Sequence, residues 1–154
     1  MKLNMTSYES MRNINNYDKI MDYLYIGNID SLKDADRFSL IVNCAKELDC
    51  VRDTNCIKIP VRDDPGESDK MLHYLHELNI FEKMNESITQ KKPVLVHCFA
   101  GMQRSCAVVA CYLVKQYNIT PERAVEFIKR QRPIAFHYRV NFMKTIQDIY
   151  DQQK

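Results

Sequence analysis

Apolar and polar positions along this chain fall into two rhythms. Short, mainly apolar runs occur at Tyr23–Ile26, Leu40–Cys44, Cys56–Pro60 and Pro93–His97. Each is too short for a helix and reads as a strand buried on one or both faces. Elsewhere apolar residues recur three or four positions apart. Met71, Leu75, Leu78, Phe81, Met84 and Ile88 line one side of a helix that Ser68 would cap and that would end near Gln90. Another helix is expected over Ser105–Tyr117. A third opens at Thr120-Pro121-Glu122, with a capping residue and a first-turn proline, and closes at Arg132-Pro133. Val140, Met143, Ile146 and Ile149 mark a last helix to about Asp151. Asp30–Phe38 reads as a short helix, and Asp63-Asp64-Pro65-Gly66 as a loop by its turn residues.

Strands that alternate with helices predict a single α/β domain with a central, mostly parallel sheet of about five strands flanked by helices. In such a sheet the loops at the carboxyl ends of the strands are the place for a site. The domain is expected over residues 20–151. Residues 1–19, rich in Asn, Met and Ser, are weakly patterned and read as an N-terminal arm.

At 154 residues and 45% apolar content the chain suits one domain with a sizeable core. A net charge of +2 without basic runs argues against a nucleic-acid or membrane-surface partner, and no apolar run approaches the ~20 residues of a membrane span. Six cysteines without an apolar leader segment read as reduced thiols in an intracellular, cytoplasmic setting. His73 and His76 have helical metal-ligand spacing but no evident third or fourth partner, so no metal and no cofactor is expected. Cys106 and Cys111, five residues apart on one helix, read as core residues or as traps for an oxidised neighbour.

The chemistry concentrates in His97-Cys98-Phe99-Ala100-Gly101-Met102-Gln103-Arg104-Ser105. This segment lies where a strand gives way to a helix. Unpaired N–H groups and the positive end of the helix dipole make such a junction an anion site, and an anion site favours thiolate over thiol. Gly101 permits the backbone to turn successive N–H groups toward one point. The planar fork of Arg104 can grip two oxygens of one phosphate. The bound anion is then a phosphoryl group open to attack by Cys98.

Five of these positions match H-C-x-x-G-x-x-R-[S/T], and the chain resembles the small dual-specificity phosphatases of the cysteine-based protein tyrosine phosphatase superfamily. Tyr25-Ile26-Gly27, Val42-Asn43-Cys44, Ile59-Pro60-Val61-Arg62-Asp63 and Arg132-Pro133 extend the resemblance over about residues 20–150. It implies that phosphate is held by the backbone of Phe99, Ala100, Gly101, Met102 and Gln103 together with Arg104. It further implies Asp63 as general acid, with Asp64 next door as competitor, and Ser105 as a donor to the departing sulfur. His97 and Asn43 would brace the loop. Phe99, Met102, Phe136, His137 and Tyr138 would line the pocket rim or belong to the core.

The activity implied is hydrolysis of phosphotyrosine and phosphoserine/phosphothreonine in phosphoprotein substrates. The resemblance leaves open RNA 5′-triphosphatases and phosphoinositide phosphatases of the same superfamily, or a phosphoprotein-binding module. Loop positions Phe99, Ala100, Met102 and Gln103 carry no charge for extra phosphates. The compact build is similar to phosphatases of large DNA viruses as well as cellular ones, and a viral origin would put the protein in host cytoplasm or virion. Some relatives of this size use the N-terminal arm for homodimer contacts, and a docked tail is the other reading.

Overall fold

The structure is a computed structural model, and it describes residues 14–154. Five strands, β1 (Tyr17–Met21), β2 (Leu24–Gly27), β3 (Leu40–Asn43), β4 (Cys56–Lys58) and β5 (Val94–His97), form one sheet in the order β1-β2-β5-β3-β4. All neighbours are parallel except the β1/β2 hairpin. The expected α/β architecture is therefore present. Its first strand was not legible: Tyr17–Lys19, read as the end of the arm, begin β1, whose alternation of half-buried and exposed residues is too mixed to stand out. Residues 1–13, with the dimer contacts read into them, lie outside the described residues.

β5 is central and wholly buried. Gly27 of β2 and Asn43 of β3 both sit level with His97. Three strands thus end together at the start of the 98–103 loop, at the point where the chain order switches sides. The helix α3 (Arg104–Tyr117) runs back from that loop through the main core, with every residue from Arg104 to Val114 buried. It is covered by α4 (Pro121–Gln131) and α5 (Met143–Asp151). On the other face Phe38, Ile41 and Leu95 form a smaller cluster, closed by edge-to-face contacts among Tyr17, Tyr25 and Phe38. A 3₁₀ segment, Ile29–Arg37, stands where the first short helix was expected.

The single helix expected over 68–90 is two, α1 (Ser68–Glu77) and α2 (Ile80–Thr89). Asn79 breaks it with φ of 51°, a left-handed conformation that Asn tolerates better than most residues. The apolar side continues across the break, which is why the pattern read as continuous. Ser68 is not a cap; its hydroxyl donates to the carbonyl of Pro65. Thr120 does cap α4, accepting from the N–H of Arg123. The last helix begins at Met143, three residues later than Val140. Among the described residues no helix is long and apolar enough to cross a membrane.

Candidate active site

Cys98 lies at the end of β5, 2% exposed. Its Sγ accepts from the N–H of Gly101 at 3.3 Å and lies 3.2 Å from Oγ of Ser105. The carbonyls of Phe99, Gly101 and Met102 are each drawn away, to the N–H of Ile29, Nε of Arg132 and the N–H of Phe136. Across a planar trans peptide the following N–H points the opposite way, so those of Ala100, Met102 and Gln103 face the inside of the loop. Among the described residues these three have no partner. They are the donors an anion would take. Gly101 has φ of +68°, and a Cβ there would lie 2.6 Å from Nη2 of Arg132 and 2.8 Å from the carbonyl oxygen of Gly27. Only glycine fits this turn.

Arg104 is 4% exposed and held as a fork: Nη1 and Nη2 each donate to a different carboxylate oxygen of Glu47 at 2.7 Å, and Nη1 also to the carbonyl of Val61. Burial works against its charge, yet Glu47, with Cys98 and Asp63 farther off, holds its pKa above the ordinary value. The hydrogen bonds from Arg104 in turn pull Glu47 down to about 2. His97 is buried, its Nδ1 3.3 Å from the carbonyl of Cys98, and burial lowers its pKa so that the neutral ring is favoured. Asn43 does not reach the phosphate loop. Its amide donates to Leu48 and accepts from the N–H of Ala45, shaping the 44–48 turn that carries Glu47.

The two candidate acids differ in what they touch. Asp64 caps the short 3₁₀ segment Pro65–Glu67 by accepting from the N–H of Gly66. Asp63 is exposed, and its Oδ1 accepts from the side-chain amide of Asn141 at 3.0 Å. Of the residues expected at a pocket rim, Phe99 is half exposed and Tyr138 almost fully so, whereas Phe136 is core. Cys106 and Cys111 are also core, where burial raises both thiols far above the ordinary range. His76 shares a hydrogen bond with Gln152.

A sequence model of the dual specificity phosphatase catalytic domain matches residues 24–152. The chain belongs to the dual-specificity phosphatases. It is 32% identical over 123 residues to the putative tyrosine phosphatase 123R of Invertebrate iridescent virus 6, covering 77% of this chain and 81% of that one. To a Slingshot protein phosphatase homolog of Xenopus laevis it is 29% identical over 135 residues, 84% of this chain. The chain spans about a fifth of the length of the Slingshot relatives, at 19% and 18% of the frog and human proteins. The crystal structure of human DUSP28 shares the fold, with a TM-score of 0.78 at 21% identity over 90% of this chain and 95% of that one.

Three residues of this dual-specificity phosphatase site have no signal in the local sequence pattern. Glu47 sits on a strand-end turn that reads as a solvated loop. Arg132 reads as the end of a helix and, with Pro133, as part of the resemblance, but its contacts have no local signal: it is fully buried and joins Gly101 to Asp18 and to the carbonyl of Asn15. Asn141 lies in a stretch read as the start of the last helix. The position of Glu47, just past a strand that neighbours β5, is the one clue that topology offers in advance.

Proposed function

We propose that the chain hydrolyses phosphate monoesters on protein side chains, phosphotyrosine and phosphoserine/phosphothreonine, through a phosphocysteine intermediate. The observation that carries this reading is Cys98 Sγ set within a loop whose carbonyls turn outward, beside an arginine fork held in place. The thiolate of Cys98 attacks phosphorus in line. Loop N–H groups and Arg104 stabilise the charge on the equatorial oxygens as the ester bond breaks. Asp63 gives its proton to the departing oxygen. In the second step the Asp63 carboxylate takes a proton from water, the water oxygen bonds to phosphorus, and the S–P bond breaks with Ser105 donating to the sulfur.

Asp64 spends its carboxylate on a turn, which favours Asp63 as the acid. The uncharged side chains of Phe99, Ala100, Met102 and Gln103 suit one phosphate on a protein carrier better than a polyphosphorylated lipid or RNA end. Purified protein should release phosphate from an aryl phosphate without added metal, and Cys98→Ser should abolish this while leaving the unfolding transition in place. Rapid alkaline quench should trap a phosphoryl adduct on Cys98, seen by mass spectrometry at alkaline pH. Turnover that persists in Cys98→Ser would overturn the mechanism.

A further inference from the structure

Asn141 stands outside the phosphate loop and outside the acid's own loop, yet it is hydrogen-bonded toward both. Its backbone N–H donates to Oε1 of Gln103 at 3.0 Å, while Nε2 of Gln103 donates to the carbonyl of Arg139 at 2.6 Å. Gln103, the loop residue before Arg104, thereby clamps the 139–141 backbone through both ends of its amide, and it is only 6% exposed. Nε of Arg139 donates to Oδ1 of Asn141 at 3.0 Å. A guanidinium can only donate, so the Asn141 oxygen is fixed on that side and its Nδ2 must face Asp63. That nitrogen donates to Oδ1 of Asp63 at 3.0 Å. An amide N–H also cannot accept a proton, so the Asp63 oxygen it holds is the one without hydrogen. In the acid form of Asp63 the proton is therefore confined to Oδ2.

We infer that Asn141 is the positioning residue of the general acid: it presents the protonated oxygen of Asp63 to the leaving group, and Gln103 keys that position to the phosphate loop. The inference rests on Asp63 being the acid, as proposed above.

The test compares kcat/KM, which reports formation of the phosphocysteine alone, for phenyl phosphate and for a dinitrophenyl phosphate whose leaving group needs no proton. Asn141→Ala should lose about tenfold or more on phenyl phosphate and stay within about twofold on the activated ester, since acid catalysis matters only for a poor leaving group. Gln103→Leu should lose more on phenyl phosphate than on the activated ester, beyond whatever it loses equally on both through its own place in the loop. Asp63→Asn combined with Asn141→Ala should be no slower on phenyl phosphate than Asp63→Asn alone, because the amide acts only through that carboxyl. Equal losses on both esters in either variant, or multiplying losses in the double variant, would overturn the inference. If Asp63→Asn itself proves indifferent to the leaving group, the acid assignment fails and takes this inference with it.

Discussion

Glu47 and Gly101 show how much of the site depends on single side chains. The bidentate carboxylate of Glu47 holds the Arg104 guanidinium in one plane beforehand, as the proposed grip on phosphate requires. Glu47→Gln keeps the shape but loses the charge, and kcat/KM for an aryl phosphate should fall about tenfold. The same carboxylate has a pH signature. Its folded-state value of about 2 lies below the ordinary 4.5, so its stabilising effect is complete above 4.5 and is lost as pH falls toward 2. The side chain is 48% exposed and screened by solvent, so the effect is small. Acid unfolding should show wild type and Glu47→Gln separated near neutral pH and converging in that window. At Gly101 an added Cβ meets both a left-handed backbone and two atoms closer than any ordinary contact. Gly101→Ala should cost about 1–3 kcal/mol in denaturant unfolding and remove most activity, because the turn that aims the N–H groups cannot survive it.

At the scale of elements, β5 and α3 are the unit that makes the site, and their neighbours position it. The 44–48 turn brings Glu47 to Arg104, the Asp63 loop reaches the same guanidinium through the carbonyl of Val61, and α4 ends at Arg132. The start of α4 therefore bears on the active loop at its far end. Thr120→Ala removes the cap and should lower stability by about 1 kcal/mol in denaturant unfolding. Its kcat should change little, because Arg132 is held by Gly101, Asn15 and Asp18 rather than by the cap once the chain is folded.

For the whole molecule Arg132 is the joint. Fully buried, it ties the phosphate loop to Asp18 of β1 and to the backbone at Asn15, linking the last third of the chain to its first strand. Removing the fully buried guanidinium leaves the half-buried Asp18 carboxylate and two backbone carbonyls without that donor. Arg132→Leu should destabilise the fold by about 3–5 kcal/mol, measured by urea unfolding, and Arg132→Lys should recover only part of this because a point charge cannot span three acceptors.

Sequence alone determined the alternation of strands and helices, the central apolar strand, and the cysteine, glycine and arginine of the loop after it. All of these are local: the apolar run at Val94–His97 and the loop that follows are contiguous, and backbone sterics and periodicity act over a few residues. The Asp63 reading also came from a short register and a resemblance. What the tertiary structure decided are relations between distant positions. Glu47 grips an arginine 57 residues away, Asn141 holds a carboxyl 78 residues away, and Arg132 holds a carbonyl 31 residues away. No period in the chain encodes such pairs, because each depends on which strand ends the sheet order brings together. The break at Asn79 and the strand at Tyr17 were missed for a related reason: in each, neighbours supply the contacts that a weak or misleading local pattern does not announce.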